Sequence, residues 1–264
     1  MLATKYKYHP DLGIKWLSDF PTNPYFCNVI RYIMGKLYDL LLEDIRFVEG
    51  LNACMNCGMC TGVCPAAEFY DYDPRRIVDE VQKKDDEVIL KFLKSETIWY
   101  CGQCMSCKTR CPRGNTPGFV IQALRKLSVK LGYFTCSEKG RQQFAIKRTV
   151  GQSILERGYC VHPDIVTPWM HPEQGPNWEN IYNNTEEFMQ NLGIPYKKEG
   201  PGPLRKIDQK NLDELKKIFD VTGGTEMYDC IEKYSAEKAK EMGVDFENGD
   251  YLNMVFKTNS DYDE

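Results

Sequence analysis

The 264-residue chain has no long apolar run. A membrane-spanning helix needs about twenty consecutive apolar residues, and the best window, Val29 to Val48, is interrupted by Arg31, Lys36, Asp39, Glu43, Asp44 and Arg46. The opening residues, MLATKYKYHP, include no apolar signal region. A cytoplasmic chain is therefore expected, with no direct membrane span, reaching a membrane only through a partner. The glycine motifs that cradle ATP or dinucleotide phosphates are missing, and so is a Gly-x-Ser-x-Gly nucleophile element. An excess of positive charge is missing too: 34 Lys and Arg face 38 Asp and Glu, a net charge of −4. With no recognised binding motif, that balance disfavours nucleic acid. Histidine is scarce, and His162 and His171, nine residues apart, do not make a metal site without carboxylate or cysteine company.

Cysteine, by contrast, is plentiful: eight of the twelve fall in two matching runs. CMNCGMCTGVCP starts at Cys54 and CGQCMSCKTRCP at Cys101, each spaced C-x2-C-x2-C-x3-C-P. That is the run with which bacterial ferredoxins hold iron-sulfur cubanes through thiolate sulfur. Two residues between successive cysteines let three thiolates of one tight loop point at three corners of a cage, with Gly58 and Gly102 expected to ease the turns. The fourth cysteine, followed by proline, turns toward the other cluster, so the expected ligation is crossed. Cys54, Cys57, Cys60 and Cys111 would hold the first 4Fe-4S cluster, and Cys64, Cys101, Cys104 and Cys107 the second. Structural zinc uses two C-x2-C pairs and has no need of a third cysteine per loop. A reducing cytosol disfavours a disulfide framework.

The remaining chain reads as helical, with 42% hydrophobic residues supplying a core. Residues 1–24, with Pro10, Pro21 and Pro24, are expected to form an extended N-terminal arm. From Pro24 an amphipathic helix through Ile30, Ile33 or Met34, Leu37, Leu41 and Ile45 should end at Gly50, with Cys27 as a packed thiol. Asp73-Pro74 is an N-cap with proline at the first helical position, followed by Ile77, Val81, Val88 and Phe92 at helical intervals, and by Val78, Ile89 and Leu93 widening the stripe. Ser95-Glu96 should open a short helix leading into Trp99. Thr116-Pro117 repeats the cap ahead of Val120, Leu124, Leu127 and Leu131, and a further helix spans about Ser137 to Arg157. The expected organisation is thus an arm over 1–24, a helical two-cluster domain over 25–158, and a C-terminal segment over 159–264. In that segment the stretch 159–204, rich in proline, reads as an irregular wrapping linker. An amphipathic helix through Leu212, Leu215, Ile218 and Phe219 follows, then a last helix capped by Thr225 and ending at Met242-Gly243. Cys136, Cys160 and Cys230 are expected to be packed, and the final DYDE disordered.

CMNCGMCTGVCP, the DPRRIV helix and IWYCGQCMSCKTRCPRG resemble the C-type subunits of heterodisulfide reductase, including their relatives in sulfur oxidisers, over about residues 45–160. The resemblance implies an alpha-helical ferredoxin carrying two 4Fe-4S clusters, with ligand roles for the eight cysteines above. It implies an electron-transfer subunit without a catalytic centre of its own, working beside an A-like partner that carries flavin and iron-sulfur groups and a B-like, cysteine-rich catalytic partner. That catalytic partner uses adjacent cysteines, and no Cys-Cys pair occurs here. Two alternatives stand beside this reading. The iron-sulfur subunit of a quinone-linked dehydrogenase would bring a two-iron domain before residue 50 or a cysteine-rich half after 160, and neither is found. Free soluble ferredoxins are small and strongly acidic, whereas residues 101–160 hold eleven Lys or Arg against two Glu. Cations near an anionic cluster favour its reduced form. The basic stretch is expected to dock either an acidic partner or the chain's own tail, where residues 201–264 hold fifteen acidic against nine basic side chains.

Overall fold

The structure, a computed structural model, describes residues 37–257. The expected arm, the helix between Pro24 and Lys36, Cys27 and the final DYDE lie outside the described residues. Among the described residues every regular element is helical, and no helix is long and apolar enough to cross a membrane.

The chain enters through α1 (Leu37–Leu42) and α2 (Ile45–Gly50). The apolar pattern suggests one helix running to Gly50; the break comes from Asp44, whose carboxylate accepts the Arg46 amide at 3.0 Å and holds its own backbone extended. The break resets the helical phase, so Ile45 is 66% exposed and Phe47 takes the fully buried position. Gly50 ends α2 and accepts the Thr116 amide at 2.8 Å, which sets α2 against α7 (Pro117–Lys130). Thr116 occupies the expected N-cap position, but its hydroxyl makes no capping bond.

Asp44 joins the two helices electrostatically as well, pairing with Arg46 at 2.8 Å and Lys126 of α7 at 3.0 Å. The bonded Arg46 guanidinium, then Lys126, hold its carboxyl well below the usual carboxylate range against the opposing effect of burial. A depressed folded-state value means that its contribution to stability is complete at neutral pH. The contribution begins to fade as pH drops toward the unfolded carboxylate value of about 4, and is lost once pH passes below the folded value. Asp44→Asn is expected to cost about 1–3 kcal/mol at pH 7. In urea denaturation the gap to wild type should narrow as the pH falls below about 4; a gap that is constant with pH would contradict this.

Between the cysteine runs lie α3 (Met59–Gly62), α4 (Ala66–Phe69), α5 (Pro74–Val81) and α6 (Asp86–Lys94). Asp73 caps α5 by accepting the Arg76 amide at 3.1 Å, with Pro74 at the first position. Lys84, in the left-handed region, and Asp85, the cap of α6, interrupt the stripe. Its phase shifts there, so Ile89 and Leu93 are buried while Val88 and Phe92 are half-buried. The first core gathers Leu41, Phe47, Ile77, Val81, Ile89, Ile98, Ile121 and Leu124. A buried Ser128 hydroxyl donating to Leu93 O at 2.7 Å links α7 to α6.

After the Tyr133–Cys136 turn, α8 (Glu138–Ile146) and α9 (Gln152–Arg157) are joined by one π turn, Lys147–Gly151, within the span expected for a single helix. The proline-rich stretch, rather than being irregular throughout, contains two short helices, α10 (Asn177–Asn183) and α11 (Thr185–Asn191). Beyond it, α12 (Gln209–Thr222) and α13 (Gly224–Met242) match the expected pair, although Gly223 rather than Thr225 stands at the α13 cap and the Thr225 hydroxyl bonds Asp220 instead. A further helix, α14 (Asp250–Lys257), has no counterpart among the expected elements. The second core draws on both sides of residue 158: Val129, Phe134, Phe144 and Ala145 pack with Ile231, Ala239, Tyr251 and Val255. Part of the basic stretch meets the acidic tail, with Lys147 at 2.6 Å from Glu232, Arg148 also paired to Glu232, and Lys130 at 3.8 Å from Glu226.

Candidate metal centre

Each cysteine run opens as a loop, and the two loops repeat one another. Asn56 (φ 59°) and Gln103 (φ 55°) are left-handed at matching positions. Each donates its amide to the sulfur two residues earlier, Asn56 N to Cys54 Sγ and Gln103 N to Cys101 Sγ, both at 3.4 Å. Gly58 (φ 79°) uses the freedom expected of it, but Gly102 does not; the second loop turns instead on Gln103 and Met105 (φ 61°). Met105 covers the start of α7, so that a Cβ at Gly118 would come within 3.0 Å of its sulfur.

The surrounding helices hold these loops from both sides. Gln82, just after α5, accepts the Cys54 amide at 3.0 Å, and Thr61 bonds the α5 cap Asp73. Arg125 of α7 donates to Ile98 O at 2.6 Å and Cys101 O at 2.7 Å. The segment after Cys111 is tied to the segment before Cys54: Asn52 N donates to Asn115 Oδ1 at 2.7 Å, Asn52 Nδ2 to Gly114 O at 3.2 Å, and Arg113 Nε to Ala53 O at 3.4 Å.

These ties decide which thiols meet. Cys54, Cys57, Cys60 and Cys111 line one small cavity with Arg75, Arg113 and Asn115. Cys64 is not among them; the thiol charges that act on it are those of Cys101 and Cys104, and the same two act on Cys107. Cys107 also acts on Cys60, across the two groups. Burial pushes the Cys60 thiol up to about 11, and raises Cys64 and Cys107 as well. Backbone amides of Ala66 and Ala67 at Cys64, and of Gly118 at Cys107, act in the opposite direction. At the exposed Cys104, the bonded Ser106 hydroxyl 3.4 Å away holds the thiol below its ordinary value.

Both groups also contain buried donors without an oxygen or nitrogen acceptor among the described residues. Asn115 is 2% exposed; with its Oδ1 engaged by Asn52, its Nδ2 has no partner among the described residues. The Tyr72 hydroxyl has no oxygen or nitrogen partner either; the Cys101 side chain is the group it faces, with Cys64 also acting on it. A buried donor left unpaired costs about 1–3 kcal/mol, and sulfur of an anionic cage would supply the acceptor. Eight thiols in two groups, with backbone amides at sulfur and buried side-chain donors beside them, fit a pair of iron-sulfur cages. Among the described residues no three His, Cys, Asp or Glu side chains stand close enough together to hold a single metal ion.

Cys136 and Cys160 are exposed rather than packed, and Cys230 is half-buried. His162 is buried against Tyr196 while His171 pairs with Glu173. Gln82, Asn115, Tyr72 and Arg125 carry no sequence signal of their own, although Asn115 follows Cys111 at the fourth position and Tyr72 directly precedes the Asp73 cap.

Residues 50–115 match the family described as the 4Fe-4S dicluster domain. The chain is 32% identical over 205 residues to the C subunit of the ferredoxin:CoB-CoM heterodisulfide reductase of Methanosarcina acetivorans, covering 76% of this chain and 73% of that protein. It is 29% identical over 185 residues to the iron-sulfur C 2 subunit of the CoB-CoM heterodisulfide reductase of Methanocaldococcus jannaschii, covering 70% of this chain and 78% of the relative. It is 38% identical over 143 residues to the iron-sulfur C subunit of the Methanopyrus kandleri enzyme, over 52% and 72% of the two chains.

Proposed function

Because the chain belongs to the family of heterodisulfide reductase C subunits, we propose that it is the electron-transfer subunit of such a complex, passing single electrons between a flavin and iron-sulfur partner and a cysteine-rich catalytic partner. Two 4Fe-4S clusters would be held in crossed fashion, by Cys54, Cys57, Cys60 and Cys111 and by Cys64, Cys101, Cys104 and Cys107. The observation that carries this reading is the cavity shared by three thiols of the first run and the last thiol of the second. When bound, such clusters supply reversible one-electron transfer with little atomic movement.

The protein's own part is to hold the sulfurs and set their surroundings. Asn56, Gln103, Ala66, Ala67 and Gly118 direct amides at sulfur, and the first core, against which Cys54, Cys64 and Cys101 pack, limits water on the inner side. Cys57 and Cys104 are exposed and offer a short path to partners on the outer side. Lys108, Arg110 and Arg113 flank that side without an ion pair among the described residues, a setting suited to an acidic docking face. The names of the relatives favour the coenzyme-disulfide branch over sulfur oxidation.

Rapid mixing tests the proposal. The reduced, iron-loaded chain should reoxidise on meeting the B-like partner and its disulfide, and more slowly at high salt. No transfer in the presence of all three subunits would sink it.

A further inference from the structure

Two side chains beside Cys101 carry polar groups that ligation does not use, although the ring of one of them, Tyr72, belongs to the first core. Tyr72, between α4 and α5, is 4% exposed, with its ring edge-on to Tyr100 at 6.3 Å. Its hydroxyl has no oxygen or nitrogen partner and faces the Cys101 side chain as its hydrogen-bonding group, with Cys64 and Arg125 as further charged neighbours. Arg125 is held in place by its two carbonyl acceptors, Ile98 O and Cys101 O, and by the Trp99 ring 5.3 Å from its guanidinium carbon. The groups whose charges act on it are Cys101 and Tyr72, and no carboxylate is among them.

The first thiol group is placed differently. Its unpaired donor, Asn115 Nδ2, belongs to a neutral amide. Of the two guanidinium groups lining its cavity, Arg75 is neutralised by Asp73 at 2.6 Å and Arg113 is exposed. An exposed or paired cation is screened, whereas a partly desolvated one without a counter-ion acts at nearly full strength. Reduction adds one negative charge, so a fixed cation and a hydroxyl donor at sulfur stabilise the reduced state. The unpaired cation lies on the Cys101 side, and the hydroxyl beside the first group, Thr61 at Cys60, gives its proton to Asp73 instead. Gly118, in the first turn of the 14-residue α7, adds an amide donor at Cys107 on that same side.

We propose that Tyr72 and Arg125 hold the cluster of Cys64, Cys101, Cys104 and Cys107 at the higher of the chain's two reduction potentials. An electron donated by a reduced partner then comes to rest on that side and leaves from it. This rests on the proposed two-cluster ligation, and adds to it a direction of flow within the chain.

The test is an EPR-monitored redox titration of the full chain, loaded anaerobically, with the two signals assigned by Cys57→Ser and Cys104→Ser. The higher-potential step should be the one disturbed by Cys104→Ser. Tyr72→Phe, which keeps the ring packing, should lower the equilibrium constant for that step by roughly tenfold, about 59 mV for one electron, and leave the other step in place. Arg125→Gln should lower it further, and Arg125→Lys should recover part of the loss because the charge survives without the planar fork. A higher step that belongs to the Cys57 signal, or one that Tyr72→Phe leaves unmoved, would overturn the inference. If Arg125→Gln loses iron, Tyr72→Phe alone decides. Failure of the wild-type chain to take up iron would instead overturn the ligation reading on which the inference stands.

Discussion

Replacing Cys111 with serine is expected to strip iron from the site of the first run, while the run to which Cys111 belongs keeps most of its own. The loaded chain should fall from about eight irons to about four, because each cage draws on four thiolates. The cause lies in the ties between chain segments. Asn52 binds both Gly114 and Asn115, and Arg113 reaches Ala53, so the residues after Cys111 are fixed to the residues before Cys54. Cys111 is thereby placed in the cavity lined by Cys54, Cys57 and Cys60. Cys64→Ser should do the converse damage, removing the partner of Cys101 and Cys104. EPR of each variant, with signals assigned as above, checks the pair; loss confined to the variant's own run would contradict the crossed arrangement.

Gly140→Ala is expected to cost at least about 3 kcal/mol, a large share of the roughly 5–15 kcal/mol that holds a domain together. Gly140 lies in the first turn of α8, where its amide donates to the Ser137 hydroxyl at 3.2 Å. An added Cβ would overlap Phe134 O and stand 2.6 Å from Ser137 Oγ. Neither can withdraw: Phe134 is fully buried in the second core and Ser137 is the cap of α8. Relief requires α8 to move away from the Tyr133–Cys136 turn, which separates Phe144 from its neighbours Phe246 and Tyr251, at 5.1 and 5.5 Å between ring centroids. Urea denaturation measures the loss, and a variant as stable as the parent would contradict this packing.

What the sequence disclosed was local chemistry. The cysteine spacing, the Asp73-Pro74 cap and the stripes of α7, α12 and α13 are written within a few residues of where they act, and the helical fold with its 4Fe-4S dicluster domain followed from them. Phase was harder to read, because a capping side chain such as Asp44 or Asp85 resets a stripe that looks continuous on paper. Proline density between 159 and 204 concealed α10 and α11, whose seven residues each are too few to develop a periodic pattern. Helix α14 was masked by the acidic end of the chain, although Tyr251 and Val255, at i and i+4, anchor it in the second core. The left-handed turns at Gln103 and Met105 carry no sequence signal, since neither residue prefers that conformation. The buried donors Asn115 and Tyr72 become visible only when burial and partners are known together.

In the proposed arrangement eight thiolates, shared between two interleaved loops, hold two inorganic cages in one helical fold. Iron and acid-labile sulfide counted on the anaerobically purified full chain test it most directly. About eight of each per chain are expected, with two interacting EPR signals on reduction. Zinc in place of iron, or iron and sulfide near four per chain, would contradict it.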